Sequence, residues 1–350
     1  MAFQFGNDVS FPIFNSYGSE NRWREVINDD GVVEYVEVLH SSSGNLYEIG
    51  KRQLGSALYG RVMHGVKLQG QDILYRTATH VAIKFISRKK VNELQRKNIE
   101  NHLKEIAALQ YIGNENPHLV GYIECCRDDE NVYSVMRFYS PGELYDMIAL
   151  DDKPMNDATA RTMVFHAIAG LEQLHRRGIG HRDLSADNVL VDFDAITNQL
   201  RFVVIDLGMC TMCPRRDEIS NAIEDDQLTP ISFKCVPREV CGKHGYMAPE
   251  VFPGDDAAQY VNPMLCDIWS LGIILFFSLT GNFPMEAALP RYEEYKLIVS
   301  EPNGLQQLVN HWGLPMSANA VDLIQRMLRA DPNDRITIAQ IREHPFMNSN

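Results

Sequence analysis

The sequence has few basic residues for its number of acidic ones, and this shortage limits its partners. Lysine and arginine together number 33, and aspartate and glutamate 46, among 350 residues, so the formal net charge is −13. Nucleic acids and anionic membranes bind proteins mainly through an excess of positive charge. We therefore expect neither of them as the main partner of this protein.

Long apolar runs and targeting segments are also missing. The longest apolar run, Ile268–Thr280, is too short to span a bilayer and predicts a buried helix. The start of the chain lacks both the basic and the apolar parts of a secretion signal. The seven cysteines are an odd number, which favours reduced thiols. These absences predict a cytoplasmic or nuclear protein that is neither secreted nor inserted in a membrane.

The composition that is present, with 45% apolar and 23% charged residues, is typical of a folded globular protein. Strand-like runs dominate from Tyr47 to Phe138, interrupted by one helical stretch over Val91–Ile112. From Gly142 onward the pattern is mostly helical, with a periodic segment over Asp157–Arg177. This order predicts an α+β protein with a small strand-rich lobe, a larger helical lobe and a cleft between them.

Two features of the strand-rich part suggest contact with phosphate groups. Residues 54–62 (LGSALYGRV) form a glycine-containing turn between two strand-like runs, and small residues allow a backbone to approach phosphates closely. Alone, such a turn is more often a plain hairpin. Lys84 follows in the apolar strand 81–84 (VAIK), where its charge requires a partner. Glu105, on the next helix, is the natural candidate.

The helical part contains spaced carboxylates that suit metal-assisted phosphate chemistry. Residues 181–188 (HRDLSADN) precede a strand, and Asp206 follows the next strand in the sequence DLG. Hard oxygen ligands such as Asn188 and Asp206 beside phosphate oxygens are what Mg²⁺ prefers. Asp183 fits a different task, which is to accept the proton of an incoming hydroxyl.

Seven motifs in this order resemble the eukaryotic protein kinase family, of the Ser/Thr type. They extend over about residues 47–346 and are GSALYGRV at 55–62, VAIK at 81–84, HRDLSADN at 181–188, DLG at 206–208, GYMAPE at 245–250, DIWSLG at 267–272, and Arg335. The combination of HRDxxxxN, DxG and APE is highly specific. The resemblance implies a bilobal fold, with a small antiparallel β-sheet and one main helix in the N-lobe and a mostly helical C-lobe.

The resemblance implies domain limits as well. Residues 1–46 would be an N-terminal extension of unknown role, with one strand over 32–39 that could dock on the main domain. The kinase domain would cover 47–346, with the N-lobe at 47–136, the hinge at 137–141 and the C-lobe at 142–346, followed by a four-residue tail. The segment around Gly70–Thr79 has no role in this scheme.

The resemblance also implies chemical roles. The enzyme would transfer the γ-phosphate of ATP to a protein serine or threonine hydroxyl. Lys84, held by Glu105, would contact the α- and β-phosphates, and Asp183 would be the catalytic base. Asn188 and Asp206 would hold two Mg²⁺ ions, for which Mn²⁺ could substitute.

The residues implied around the nucleotide come mostly from the N-lobe. Gly55 and Gly60 would frame the loop over the phosphates, in which Ala57 replaces the middle glycine. Met136 would lie beside the adenine. The full set expected to contact the nucleotide is Leu54, Gly55, Ala57, Gly60, Val62, Ala82, Lys84, Met136, Phe138, Leu190 and Asp206.

Two positions depart from the Ser/Thr kinase pattern at once. Ser185 stands where these kinases usually have lysine, and Lys243 stands where they usually have threonine. In the family those two side chains touch. We therefore predict a swap, in which Lys243 reaches the catalytic site and supplies the positive charge that Ser185 lacks. The alternative is that Lys243 is solvated and the enzyme is merely slower.

A third departure concerns activation. Arg182 precedes the catalytic aspartate and in the family usually binds a phosphorylated residue, whose position aligns here with Glu239. A carboxylate carries less charge than a phosphate but is always present. We predict activity without phosphorylation at this position. The alternative is that Glu239 is an exposed loop residue and that one of Thr211, Ser220, Thr229 and Ser232 is the switch.

The substrate is predicted to be a protein with basic residues before its phosphoacceptor. Glu143 and Asp187 align with acidic residues that meet such arginines in basophilic kinases, and carboxylates favour bidentate arginine. Alternatively, Glu143 contacts only the ribose of the nucleotide. Cys210 and Cys213 have a zinc-like spacing, with Cys235 and Cys241 farther along, so metal binding or redox control of this segment stays open.

Two other functions compete with an active protein kinase. A pseudokinase would bind nucleotide or a partner with little transfer, as the changes at Ala57, Ser185 and Lys243 suggest. The retained Lys84 and Asp183 argue against it, because the parts of a catalytic site act as a unit. A small-molecule kinase of the same fold is disfavoured by the APE motif at 248–250.

Overall fold

The computed structural model describes residues 3–4, 10–11, 15–16, 23–28, 30–41, 43–94, 100–150, 153–194, 199–216, 227–254 and 259–348. Within it the chain forms two compact units. The N-terminal unit comprises Met1–Glu115 and Val120–Tyr139, and the C-terminal unit comprises Asn116–Leu119 and Ser140–Asn350.

The N-terminal unit is mainly an antiparallel sheet. Its strands are β1 (Phe3–Gln4), β2 (Ser10–Phe11), β3 (Asn15–Ser16), β4 (Trp23–Ile27), β5 (Val33–His40), β6 (Leu46–Ala57), β7 (Gly60–Gly70), β8 (Leu74–Ser87), β9 (Tyr122–Arg127) and β10 (Asn131–Arg137), and its helices are α1 (Arg88–Leu94) and α2 (His102–Ile112). Strands β3 to β10 form one eight-stranded sheet in the order β3-β9-β10-β8-β4-β5-β6-β7. The strand-like runs predicted at 47–54, 61–67, 80–86, 119–125 and 132–138 are confirmed as β6 to β10, although β9 begins only at Tyr122.

The predicted single helix over 91–112 is wrong. Glu100 and Asn101 are not helical, and Asn101 caps α2 by accepting hydrogen bonds from the Leu103 and Lys104 amides at 2.9 and 3.3 Å. An asparagine side chain satisfies the first amides of a helix and so starts a new one. Residues 95–99 of the predicted helix lie outside the described residues.

The segment at 70–79, to which no role was assigned, lengthens a hairpin. Gly70 pairs with Leu74, and the ladder continues from there along β7 and β8. The extra length of β8 gives β4 a parallel partner, with Val26 opposite Leu74. Because β7 also pairs with β8, strands β4 to β8 close into a ring.

The N-terminal extension is therefore part of this unit rather than a loose tail. The predicted strand at 32–39 is confirmed as β5, and β4 adds a second one. The interior of the ring is an apolar cluster of Val26, Val38, Leu68 and Leu74. Strands from the extension thus supply half of a hydrophobic core, which stabilises both partners by removing apolar surface from water.

The C-terminal unit is mostly helical, as predicted. Its helices are α3 (Leu144–Ala149), α4 (Asp157–Arg176), α5 (Pro263–Thr280), α6 (Glu293–Ser300), α7 (Gly304–Trp312), α8 (Ala318–Met327), α9 (Ile338–Glu343) and α10 (Pro345–Asn348). Its short strands are β11 (Pro141–Glu143), β12 (Ile179–Gly180), β13 (Val189–Asp194), β14 (Gln199–Val204), β15 (Thr211–Met212), β16 (Val236–Pro237) and β17 (Tyr260–Val261).

Helix α5 fulfils the prediction of a buried apolar helix. Its length and hydropathy would suffice to cross a membrane, but all eighteen of its residues are buried in the protein. Helix α4 matches the periodic segment predicted at 157–177. Residues 181–188, which the resemblance implies to be the catalytic loop and which carry that name below, lie between α4 and the β13–β14 hairpin. Regular secondary structure therefore holds this loop at both ends.

Candidate active site

Lys84 and Glu105 form the ion pair that the sequence predicts. The Lys84 ammonium lies 2.7 and 2.9 Å from the two carboxylate oxygens of Glu105, and both side chains are buried. Lys84 is carried by β8 between buried Ile83 and Phe85, and Glu105 lies in the first turn of α2. The pair satisfies two charges that would each be costly to bury alone.

The glycine-containing turn joins β6 to β7, with Ala57 opposite Gly60. At Gly60 a Cβ atom would stand 2.0 Å from the Phe85 carbonyl oxygen, so packing against β8 requires glycine there. At Gly55 no described atom lies within 4 Å of a Cβ position. Packing among the described residues therefore explains Gly60 but not Gly55, whose lack of a side chain suits a ligand.

The other nucleotide candidates are spread over both units. Val62 pairs with Lys84 across β7 and β8, and Ala82 pairs with Met136 across β8 and β10. Leu54 lies on β6, and Phe138 follows β10 with its ring edge-on to His64, 4.9 Å between centroids. Leu190 belongs to the C-terminal unit, on β13.

Asp267 of helix α5 holds the catalytic loop by accepting hydrogen bonds from its backbone. One carboxylate oxygen accepts the His181 amide at 2.9 Å, and the other accepts the Arg182 amide at 3.0 Å. The ring of His175 in α4 bonds the same carboxylate at 2.9 Å, whereas the sequence predicted that His175 would only pack or face solvent. That histidine lies 92 residues from its partner, and no local pattern pairs them.

Asp183 and Asn188 are joined within this loop. The Asn188 side-chain amide donates to the Asp183 carbonyl at 2.8 Å and to its carboxylate at 3.1 Å. Burial raises the pKa of Asp183, and the nearby Asp206 carboxylate adds to the rise, whereas His181 and Lys243 oppose it. Asp183 is thus a half-buried carboxylate with a second carboxylate nearby, an arrangement typical of catalytic bases.

Backbone strain is concentrated at the same place. Among the described residues, the only non-glycine positions with positive φ are Arg182 at 71° and Asp206 at 62°. Such conformations are costly and persist where the surroundings fix them, often at functional sites.

Asn188 and Asp206 provide donors that fit a hard divalent cation. Because the amide nitrogen of Asn188 donates to Asp183, its oxygen is the end left to coordinate a metal. Within the described part of the chain no three His, Cys, Asp or Glu side chains cluster as an all-protein metal site. Mg²⁺ needs no such cluster where one or two protein oxygens act together with substrate phosphates.

Lys243 reaches the catalytic loop, as the predicted swap requires. Its ammonium lies 3.0 Å from the Ser185 hydroxyl and 3.0 Å from the Asp187 carboxylate, and its backbone amide donates to the Asp183 carboxylate at 3.1 Å. The Lys243 side chain is nevertheless 42% exposed, so the contacts agree with the swap but do not test the alternative of a solvated lysine and a slower enzyme. Asp187, predicted to meet a substrate arginine, is engaged by Lys243 instead.

Glu239 contacts Arg182, also as the sequence predicts. The two side chains form an ion pair of 2.9 Å, in which Arg182 is buried and Glu239 about half exposed. Of the alternative switch residues, Ser220 lies outside the described residues.

Glu250 anchors the end of the segment that runs from Asp206 to Glu250. Its carboxylate receives two hydrogen bonds from Arg335, at 2.7 and 2.6 Å. Cys210, Cys213 and Cys241 are buried and Cys235 is exposed. Burial, together with the neighbouring Cys235, raises the pKa of Cys213 to about 12, which keeps this thiol protonated and weakly reactive.

Comparison with known proteins shows which family model and which relatives this chain matches. The sequence model of the protein kinase domain matches residues 48–347. The SNF1-related protein kinase catalytic subunit alpha KIN12 of Arabidopsis thaliana is 32% identical over 306 residues, covering 87% of this chain and 51% of the relative. The serine/threonine protein kinase OSK3 of Oryza sativa subsp. indica is 31% identical over 308 residues, covering 88% and 51%. The chain thus spans about half the length of these curated relatives.

Proposed function

The chain belongs to the protein kinase family, and from this premise we propose that it is an active protein serine/threonine kinase that uses ATP and Mg²⁺. The observation that carries the proposal is the complete set of reactive groups: the buried Lys84–Glu105 pair, and Asp183 held by Asn188 near Asp206. The catalytic domain would extend over about residues 47–346.

The proposed step is an in-line transfer of a phosphoryl group. The substrate hydroxyl oxygen attacks the γ-phosphorus of ATP, its proton passes to Asp183, and the bond from the γ-phosphorus to the bridging oxygen breaks, leaving ADP. Lys84 would bind the α- and β-phosphates, and Lys243 would supply positive charge to the γ-phosphate. Asn188 and Asp206 would hold the metal, which when bound neutralises charge on the phosphate oxygens.

The same contacts favour an active enzyme over a pseudokinase. The three changes that suggested a pseudokinase include Ser185 and Lys243, and these two residues touch each other beside Asp183. A cation is thus present at the loop even though serine occupies position 185.

All seven cysteines are free thiols, which agrees with a reducing compartment such as the cytoplasm or nucleus.

The test is phosphoryl transfer by bacterially expressed, phosphatase-treated protein with Mg²⁺ and a degenerate Ser/Thr/Tyr peptide library. We expect phosphorylated serine or threonine, and we expect transfer to fall to background in Asp183→Asn, which keeps the shape of the side chain. Activity after phosphatase treatment is expected because Glu239 supplies a permanent negative charge to Arg182. Nucleotide binding without transfer, both before and after incubation of the protein with ATP, would favour the pseudokinase.

Glu143 is the residue that we propose reads a substrate arginine, since Asp187 is paired with Lys243. Burial raises the pKa of Glu143, and the neighbouring Asp146 and Asp187 add to the rise. Its carboxylate therefore gains a proton at a higher pH than an ordinary glutamate, and a neutral carboxyl cannot pair with arginine.

We compare peptides that carry either arginine or alanine before the phosphoacceptor. We expect the preference for the arginine peptide to weaken as the pH falls from 7 to 5. We also expect Glu143→Gln to reduce this preference about 10-fold at pH 7 and to remove its pH dependence. The measurement is the ratio of kcat/KM for the two peptides at each pH. An unchanged ratio in Glu143→Gln would assign Glu143 to another role, such as a contact with the ribose.

A further inference from the structure

The ammonium group of Lys243 belongs to the segment of residues 239–243, which Glu239 anchors at its other end. Lys243 contacts Ser185 and Asp187 through its ammonium and Asp183 through its backbone amide. Only three residues separate Lys243 from Glu239, whose carboxylate is bound to Arg182. Four residues span at most about 14 Å, so the ion pair at one end restricts the ammonium at the other.

The chain between these two residues follows a fixed course. Gly242 has φ of 97°, in the region that favours glycine. A Cβ atom there would stand 2.7 Å from the Arg182 carbonyl oxygen and 3.7 Å from the Asp183 carboxylate. The backbone thus passes directly over the residue that Glu239 binds and continues to the residue that Lys243 contacts.

We propose that Glu239 and Arg182 are positioning residues for Lys243, so that their ion pair controls phosphoryl transfer through the placement of this ammonium group. The inference rests on the proposed function, because Lys243 must act on the γ-phosphate. If the ion pair only stabilised the loop, breaking it would lower kcat whether or not Lys243 is present. Under the proposal, breaking it lowers kcat only when Lys243 is present.

The physical reason is that the positive charge lies on the segment and not on the catalytic loop. A lysine at position 185 would be held by the loop whatever the segment does. Lys243 instead moves with residues 239–243, so loss of the Arg182 anchor leaves Asp187 as its remaining charged partner among the contacts described. Asp187 lies at the exposed edge of the loop, with a side chain 32% exposed, and such an ion pair alone is weak.

A double-mutant cycle tests the proposal with the full chain. We measure kcat at saturating ATP and peptide for wild type, Glu239→Gln, Lys243→Met and the double variant. We expect Glu239→Gln to lower kcat at least 10-fold in the wild type, with less than a 2-fold change in KM for ATP. In the Lys243→Met background we expect the same substitution to change kcat less than 2-fold.

The proposal would be overturned if Glu239→Gln lowered kcat by the same factor in the wild type and in Lys243→Met. It would also be overturned if Glu239→Gln left the kcat of the wild type unchanged. Thermal unfolding of all four proteins identifies a purely structural effect, which would lower stability and kcat by the same amounts with or without Lys243. Glu293→Gln is the matched control, since Glu293 forms an exposed ion pair with Lys296 at 2.6 Å. A wild type that transfers no phosphate would instead contradict the proposed function.

Discussion

Replacing Lys243 by methionine is expected to lower kcat about 100- to 1,000-fold, with little change in KM for ATP or in stability. Charge develops on the transferred phosphoryl group, and a fixed cation beside it stabilises the transition state more than the ground state. Methionine keeps most of the length of the side chain and removes the charge. The measurement is steady-state transfer to a peptide, with ATP varied.

The chain offers a matched control for this substitution. Lys296 is exposed to a similar degree, 48% against 42% for Lys243, and it also pairs with a carboxylate. Lys296→Met should keep the wild-type kcat. The double variant S185K/K243T returns the lysine to the catalytic loop and is expected to recover much of the lost rate. A wild-type kcat in Lys243→Met would show that the ammonium has no catalytic part.

The sequence predicted the members of this site better than their partners. The motifs identified Asp183, Asn188 and Asp206 because HRDxxxxN and DxG are short, specific local patterns that can be recognised without knowing the fold. The pair between Lys243 and Asp187 could not be foreseen in the same way. It joins two segments 56 positions apart, and both residues already had another expected neighbour.

The fold shows the same division between local and distant information. Strand-like composition and helical periodicity located strands β5 to β10 and helices α4 and α5, because those elements bury one or more faces, but they did not locate β1 to β4. The break before α2 was visible in principle, since Asn101 precedes a helical run and is a strong capping residue. The ring of β4 to β8 was not visible, because the parallel pairing of Val26 with Leu74 joins positions 48 residues apart.

The ring of β4 to β8 depends on two strands from the N-terminal extension. A chain that begins at residue 47 loses β4 and β5, and with them Val26 and Val38 from the cluster around Leu68 and Leu74. Exposing a buried aliphatic side chain costs roughly 1.5–3 kcal/mol. Because Leu68 and Leu74 would both become exposed, we expect the truncated chain to lose several kcal/mol of unfolding free energy.

Two polar contacts add to this loss. The buried Glu124 carboxylate accepts hydrogen bonds from Ser43 and Asn45 at 2.9 Å each, and also from Ser41 and Tyr47. Truncation at residue 47 removes three of these four donors and leaves a buried charge poorly satisfied. Arg76 bridges Glu34 of β5 and Glu48 of β6, at 2.5 and 2.6 Å, and it loses the first of these partners.

Urea unfolding of the full chain and of two truncations measures the effect. The chain that begins at residue 47 is expected to unfold at a much lower urea concentration or to be recovered unfolded. The chain that begins at residue 22 keeps β4 and β5 and should stay close to the full chain. Should the shorter truncation product fail to express, Glu34→Gln and Val38→Ala probe the same contacts in the full chain. We expect Val38→Ala to cost about 1–3 kcal/mol, since it removes two methyl groups from a closed apolar cluster. Unchanged stability in the chain that begins at residue 47 would show that β6 to β8 hold their core without the extension.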